Sequence, residues 1–441
     1  MKQIIKRIIG VILAAALVLG IGVLLQYLLF DDVQSYSRLM MHDMYEASEN
    51  LDVLFAGSSH VRRAFDTEVT DEVFGQNTFN LSTASQRLDG SLALIREACS
   101  LYDVKQVYLD LYYGVVDTRD YDTRTSMTET YLVSDYMRPS LNKLQFLLHA
   151  SSMKYYTNGF LPFRRNWEDI FDLEYLTDLY EKKHTETYLN YDWFVIDTHD
   201  YYGGKGYFGN TVAVSQDERW NKLAYGEVEV QRKIKEDGDW MQTLRDIVSY
   251  CRRHSVELTF VMVPEPEWTL AGKGDYQEYS DWIRTLANDL QVPYYDFNLC
   301  RPSYFDTADK SLFYDADHLN DVGAASFSRV FGMFFTGQIR EEDLFYDSFE
   351  EKLLDKEPEV YGIAGPVESD EGERLCSLIA NRSSGLEYRV TVTPDGTTEE
   401  KQILDFGDGP DFILPGGENG TLEVEWKNAE SEDIHLFSCT Y

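Results

Sequence analysis

The chain has 441 residues and a net charge of −36, with 40 basic against 76 acidic side chains. This length allows two or three domains with a sizeable core. The acidic balance argues against nucleic-acid binding, because phosphate contacts need clustered Lys and Arg. None of the five cysteines has metal-ligand spacing, and no cluster of His, Cys and Asp has it either. We therefore expect no metal, and we expect no other cofactor. Whether Cys376 and Cys439 pair stays open.

The first element is an apolar stretch over residues 8–30, which follows three basic residues. About 20 apolar residues cross the hydrocarbon core of a bilayer, and a positive flank marks the inner side. The stretch predicts a transmembrane signal anchor over residues 1–30, single-pass in the cell membrane, with the rest of the chain extracytoplasmic. A cleaved signal peptide is the alternative, although the apolar region is long for one and no small-x-small site follows this region before Asp31.

Short apolar runs then alternate with stretches of helical period, such as Leu88, Leu92 and Ile95. The runs have the length of buried parallel strands. Strands alternating with helices predict an α/β domain with a doubly wound parallel sheet over residues 31–355, with ligands at the carboxyl ends of the strands. The predicted strands are 53–56, 78–81, 107–111, 258–263 and 293–297.

Residues from about 121 to 238 interrupt this rhythm and are rich in Tyr, Trp and Phe. We predict a helical insertion that covers the active-site edge of the sheet. It is either an irregular surface loop or a flap that contacts the substrate. Its aromatic side chains would stack on sugar rings in the second case and form a local core in the first.

The character of the chain changes near Glu350, where a charged linker begins. Beyond it, polar and apolar residues alternate, as in residues 388–393 and 421–426. Turn signals at 394–396, 407–409 and 415–417 separate the alternating runs. This pattern predicts a small antiparallel β-sandwich domain over residues 356–441.

Two short motifs carry the chemistry. Ser59 closes a Gly-Ser-Ser motif directly after the first predicted strand, and His318 follows Asp315 at a spacing of three. A strand ending in Gly-x-Ser places a hydroxyl at the carboxyl edge of a sheet, and the Asp can orient the His as a base. Together they predict a Ser59–His318–Asp315 acyl-transfer triad. Ser58 and Asp317 compete for two of these roles, and a helix-capping serine is the alternative without chemistry.

These motifs resemble the blocks of the SGNH/GDSL hydrolase superfamily. The first block, Gly-Asp-Ser-Leu, corresponds to residues 57–60. The second corresponds to Asn80 with a small residue at Ser82, and the last, Asp-x-x-His, to residues 315–318. The chain looks most similar to the membrane-anchored branch that includes the D-alanine transfer proteins of teichoic-acid modification. The matched blocks span roughly residues 50–335, and the resemblance implies an SGNH, flavodoxin-like fold.

The sequence departs from the family at two blocks. The third block, normally Gly-x-Asn-Asp, reads Asp-Leu-Tyr-Tyr at residues 110–113, and Ser82 stands in place of the second-block Gly. We expect the backbone N–H groups of Ser59 and Ser82 to form the oxyanion hole, with Tyr112 as a third donor. The alternative for Tyr112 is a half-buried aromatic at a strand end.

The resemblance implies a membrane-anchored serine esterase or O-acyltransferase that acts on acyl esters of cell-envelope glycans. Its expected partners are such a glycan or a small acyl ester, and a membrane acyltransferase. The same triad can hydrolyse an ester or pass the acyl group to a sugar hydroxyl. A non-catalytic protein that uses the SGNH fold to bind an acylated glycan or an acyltransferase is the alternative, favoured by the missing third-block Asn.

Overall fold

The computed structural model describes most of the chain. The described residues are 2–112, 124–194, 198–214, 220–223, 239–273, 276–368, 372–382, 384–407, 409–415, 419–429 and 431–441. Parts of the predicted insertion, residues 121–123, 195–197, 215–219 and 224–238, lie outside them, as do positions 408, 416 and 417 of the predicted turns.

The described helices and strands follow in chain order. The helices are α1 (Lys2–Leu29), α2 (Tyr36–Glu46), α3 (Ser59–Ala64), α4 (Thr67–Phe74), α5 (Leu88–Leu101), α6 (Arg124–Ser134), α7 (Leu141–His149), α8 (Tyr156–Phe160), α9 (Leu173–Lys183), α10 (Glu186–Leu189), α11 (Asp239–Arg253), α12 (Glu267–Lys273), α13 (Tyr276–Leu290), α14 (Asp321–Phe335), α15 (Glu341–Leu344) and α16 (Phe349–Leu354), with 3-10 helices at Pro162–Phe171, Phe297–Leu299 and Lys310–Leu312. The strands are β1 (Val53–Gly57), β2 (Thr78–Ser82), β3 (Gln106–Asp110), β4 (Asp200–Gly204), β5 (Tyr207–Asn210), β6 (Trp220–Leu223), β7 (Glu257–Met262), β8 (Tyr294–Asp296), β9 (Val360–Glu368), β10 (Arg374–Ala380), β11 (Leu386–Pro394), β12 (Lys401–Leu404), β13 (Asp411–Leu414), β14 (Gly420–Asn428) and β15 (His435–Thr440).

The central sheet contains five parallel strands in the order β2-β1-β3-β7-β8. Each lies where the sequence predicts a strand. Strands β1 and β2 are buried along their whole length, whereas the short edge strand β8 is half-buried at Tyr294 and Tyr295. Along β1, Leu54 and Ala56 join one core cluster, and Val53 and Phe55 join the other. Helices α5, α11 and α13 cover the first face, and α3 and α14 cover the second. The predicted doubly wound parallel α/β sheet is therefore present.

The N-terminal helix stands apart from this core. Residues Gln3–Leu29 are long and apolar enough to cross a membrane, and the apolar window of this helix is exposed, whereas Leu29 at its end is buried. A transmembrane anchor and a signal sequence share these properties.

The predicted insertion is helical only in part. Helices α6 to α10 and one 3-10 helix occupy the described residues 124–189, but β4 and β5 then form an antiparallel hairpin. Gly204, Lys205 and Gly206 all adopt positive φ angles at its turn. Such a turn suits the twist of paired strands, which is why this Gly-rich stretch forms a hairpin. The hairpin lies against β2, where Lys205 O accepts a hydrogen bond from Asn80 N at 2.9 Å.

The C-terminal strands form two four-stranded sheets, β13-β10-β9-β6 and β12-β11-β14-β15. Side chains of both sheets share one core, with Ile363 and Leu378 from the first and Val390 and Val424 from the second. Strand β6 differs from expectation: it comes from the insertion and pairs parallel to β9. The cysteines Cys99, Cys251, Cys300, Cys376 and Cys439 are free thiols.

A substitution of Phe331 tests the packing of the core between the central sheet and α14. Its side chain is fully buried and contacts the rings of Phe55, Phe65 and Phe297. Phe331→Ala should lower the free energy of unfolding by about 3–5 kcal/mol, because the cavity cannot collapse fully. The matched variant Val322→Ala, on the same helix with 58% exposure, should change it by less than about 0.5 kcal/mol. Chemical denaturation of both variants measures the difference, and equal midpoints would contradict the packing described.

Candidate functional site

Ser59 lies where β1 turns into α3. Gly57 ends the strand, Ser58 is extended, and Ser59 is the first residue of the helix. A Cβ atom on Gly57 would lie 2.4 Å from Val61 Cγ2 and 2.9 Å from Asp110 Cβ, so a larger residue would push α3 off the sheet. The Ser58 hydroxyl is buried without a hydrogen-bond partner, whereas Ser59 is partly exposed at the carboxyl edge of the sheet.

The structure brings the three predicted triad residues together. Ser59 Oγ and His318 Nε2 are 2.9 Å apart. On the other side of the ring, His318 Nδ1 lies 3.0 Å from both carboxylate oxygens of Asp315. The base is thus within reach of the hydroxyl proton, and the carboxylate holds the tautomer that leaves Nε2 free to accept it.

Asp315 is itself held by its own loop. Its Oδ1 accepts hydrogen bonds from the backbone N–H groups of Asp317 and His318, each at 2.8 Å. Burial alone would raise the pKa of Asp315, but the hydrogen bond and charge of His318, with the two backbone donors, lower it to about 2. Asp315 is therefore ionised at neutral pH. Asp317, its competitor in sequence, serves here as a backbone donor.

The loop that carries His318 is anchored by Asn320. Its side-chain Nδ2 donates to Ser311 O at 2.7 Å, and its Oδ1 caps α14 by accepting from Gly323 N at 2.9 Å. A Cβ atom on Gly323 would lie 2.0 Å from Leu312 O, so only glycine lets the helix approach this closely. The position of His318 is therefore set by α14, which packs on the sheet.

The residues expected in the oxyanion hole lie at the same edge. Ser82 ends β2 and is the register partner of Gly57 in β1. Tyr112 follows β3, and its ring stacks on His60 with centroids 3.9 Å apart. The His60 ring lies 4.9 Å from that of His318. All three strands therefore deliver their predicted residue to the neighbourhood of Ser59, and the donor roles of Ser82 and Tyr112 remain predictions.

Two buried carboxyl groups near the site escaped the sequence analysis. Asp110 ends β3 and Glu265 follows β7, and both are fully buried. Burial raises the pKa of Asp110 to about 8 and that of Glu265 to about 7. Lys273 Nζ lies 2.8 Å from Glu265 Oε2. The sequence does carry a signal for both residues, because each is an acidic residue at or just after the end of an apolar run. Such residues come together near the site, since the carboxyl ends of parallel strands meet at one edge of the sheet.

Among the described residues, His60, Glu265 and Asp317 are the group that could hold a metal ion. One ligand atom from each lies within 4.8 Å of the others. Burial lowers the pKa of His60 well below its ordinary value, so the ring is neutral at pH 7. The ammonium group of Lys273 already contacts the Glu265 carboxylate. This cation opposes the entry of a second one, so the cluster suits a hydrogen-bonded network better than a metal centre.

Comparisons with known proteins add little to this geometry. No protein-family model and no curated protein matches the chain. Similar solved structures include a GDSL-like lipase from Bacteroides thetaiotaomicron (8% identity, covering 70% of this chain and 100% of that chain) and a protein assigned as an acylhydrolase from Bacteroides fragilis (8%, 68% and 95%). A protein assigned as a platelet activating factor from Streptococcus pneumonia is also similar (12%, 71% and 96%). The TM-score is 0.30 in each case, so none carries an argument about function.

Asp110 should make stability depend on pH. The pKa of Asp110 is about 8 in the folded chain, against an ordinary value of 3.8. Between these two values the folded chain binds a proton that the unfolded chain has lost. Stability therefore falls as pH rises through this window, by about 1.4 kcal/mol per unit from this group alone. Asp110→Asn mimics the protonated form and should flatten the slope of melting temperature between pH 5 and 8. The exposed control Asp347→Asn should keep the parent slope, and parallel curves for all three proteins would refute the assignment.

Proposed function

We propose that the chain is an SGNH-type serine esterase or O-acyltransferase, with Ser59 as nucleophile, His318 as general base and Asp315 as its orienting carboxylate. The observation that carries the proposal is the pair of contacts on one imidazole ring: 2.9 Å from Nε2 to Ser59 Oγ and 3.0 Å from Nδ1 to Asp315. This arrangement is what nucleophilic activation of a serine requires.

In the proposed mechanism, Ser59 Oγ attacks the ester carbonyl while its proton passes to His318 Nε2. The carbonyl oxygen becomes an oxyanion, which the backbone N–H groups of Ser59 and Ser82 stabilise. When the intermediate collapses, the C–O bond to the alcohol breaks and His318 returns the proton to the leaving oxygen. The acyl group then rests on Ser59. Water, or a sugar hydroxyl, attacks it by the same steps in reverse order.

The proposed substrates are acyl esters of cell-envelope glycans, as the resemblance to the D-alanine transfer branch implies. In this proposal α1 is an uncleaved anchor and the α/β domain lies outside the cell. One set of contacts supports a site close to the membrane. Helix α2 begins six residues after the last apolar residue of the anchor, Phe30, and its Tyr36 ring lies 4.4 Å below the Arg62 guanidinium of α3. Helix α3, which carries Ser59, thus packs on α2, the helix that directly follows the end of α1.

A non-catalytic binding protein is the second candidate, because Tyr112 occupies the third-block position where the family has an Asn. Its ring packs on the neutral His60. Under this alternative the edge of the sheet would bind an acylated glycan or a membrane acyltransferase without forming an acyl-enzyme. Covalent labelling of Ser59 separates the two candidates.

A fluorophosphonate probe should label the full chain at Ser59. Ser59→Ala should abolish the adduct, whereas the adjacent Ser58→Ala should retain it, because the Ser58 hydroxyl is buried and has no hydrogen-bond partner. Asp315→Asn should slow labelling by about 10⁴-fold, because the imidazole would lose its orienting carboxylate. Mass spectrometry of the labelled peptide reads out the site. A folded chain that never reacts at Ser59 would leave the binding protein as the better explanation.

The full chain should remain in the membrane after alkaline extraction, since an apolar helix of this length inserts stably. Protease added to intact cells should degrade the domains that follow α1. Immunoblotting of the membrane and soluble fractions tests both points. A soluble product that begins near residue 30 would show that α1 is a cleaved signal sequence.

A further inference from the structure

We propose that part of the insertion lies on the outer surface of the bilayer as a second, interfacial contact beside α1. The surface consists of the 3-10 helix Pro162–Phe171 and α9, which we call the 162–183 segment. This inference rests on the anchoring role of α1 proposed above. It goes beyond that role because it assigns lipid contact to a separate part of the chain.

The 162–183 segment is packed around the end of α1. Phe163 N donates to Gln26 Oε1 at 3.2 Å. Lys183 Nζ, which is buried, donates to Tyr27 O at 2.9 Å and to Phe30 O at 2.5 Å. The Tyr27 hydroxyl and His184 Nε2 lie 3.3 Å apart. Both ends of the segment are therefore held against the last turn of the apolar helix.

The end of α1 is also where a bilayer would end. A helix rises about 1.5 Å per residue, and the hydrocarbon core is about 30 Å thick, so about 20 residues cross it. Counted from Ile8, the first residue after the basic flank, this crossing reaches Tyr27. The contacts with Gln26, Tyr27 and Phe30 therefore place the 162–183 segment at the level of the headgroups.

The segment exposes the side chains that suit this level. Phe171 is 90% exposed and Leu173 is 77% exposed, and Trp167 and Tyr180 are each 49% exposed. Met153, Phe160 and Leu161, just before the segment, are exposed as well. Trp and Tyr are enriched at membrane interfaces, and exposed Phe and Leu gain free energy there by leaving water. An apolar surface continuous with a spanning helix has the bilayer as its nearest apolar neighbour.

Charge indicates how the contact is made. The segment carries acidic residues beside its basic ones, among them Glu168, Asp169, Asp172 and Glu174. Attraction to anionic lipid is therefore not its driving force. Apolar burial is sufficient, so a zwitterionic bilayer should support the contact.

The test uses the full chain in phosphatidylcholine nanodiscs, with a bimane label on single introduced cysteines. Phe171→Cys and Leu173→Cys report on the segment, and Val18→Cys reports on α1. Leu354→Cys and Ile434→Cys, at positions 55% and 52% exposed, are matched controls away from the segment. Labelling of the parent chain gives the background from its own cysteines. Emission is compared in nanodiscs of brominated and unbrominated lipid.

We expect bromination to reduce emission from the labels at 171 and 173 by about two-fold or more, with little change at 354 and 434. Quenching at 18 alone would overturn the interfacial contact and leave the anchor standing. No quenching at 18 would overturn the anchor, and the contact with it. Labels at 171 and 173 that are unquenched in nanodiscs, yet shielded from thiol reagents in native membranes, would show that a protein covers this surface instead.

Discussion

The hydrogen bond between Ser59 and His318 joins two segments that lie 259 positions apart in the chain. The fold makes this contact possible because it brings both segments to one edge of the central sheet. Parallel strands bring all their carboxyl ends to one edge. Ser59 reaches that edge at the end of β1, and His318 reaches it on a loop anchored by Asn320 at the start of α14. Both supports rely on glycines, Gly57 and Gly323, at points where backbone and helix approach too closely for a side chain. The geometry of the site therefore depends on close packing of α3 and α14 against one sheet.

Two buried glutamates near this edge show how neighbouring groups set the pKa of a buried carboxyl group. Glu265 contacts one ammonium group, that of Lys273, and burial still raises its pKa to about 7. Burial would also raise the pKa of Glu267, but Lys352 and Lys356 together with a hydrogen bond from Tyr361 lower it. The pKa values of these two carboxyl groups, two residues apart, are thus shifted in opposite directions. Two cations compensate the buried charge of Glu267, whereas one compensates that of Glu265.

The contacts of Glu267 also connect the two main parts of the chain. Glu267 begins α12 in the α/β part, whereas Tyr361 lies in β9 of the C-terminal sheet. Lys356 Nζ lies 2.8 Å from Glu267 Oε1. Apolar side chains of the same sheet, Tyr361 and Ile379, join the core cluster that covers the second face of the central sheet. The C-terminal sheet and helix α12 therefore share one buried ion cluster, in which Glu267 meets Lys352 and Lys356.

The sequence alone determined features that repeat locally. Apolar runs of strand length indicated the five parallel strands, and polar-apolar alternation indicated the C-terminal strands, because burial on two faces or on one imposes these patterns. The spacing of Gly-Ser-Ser and Asp-x-x-His singled out Ser59, Asp315 and His318, which the structure brings within hydrogen-bond distance. Their catalytic roles remain predictions.

Only the tertiary structure decided the features that depend on distant partners. The β4–β5 hairpin, the pairing of β6 with β9 and the burial of Asp110 and Glu265 all belong to this class. A short strand such as Trp220–Leu223 carries no sign of which edge it will join, because backbone hydrogen bonds are the same for every partner. Likewise, an acidic residue after an apolar run looks exposed until neighbouring strands and helices exclude water from it. Desolvation, not residue type, then sets its pKa.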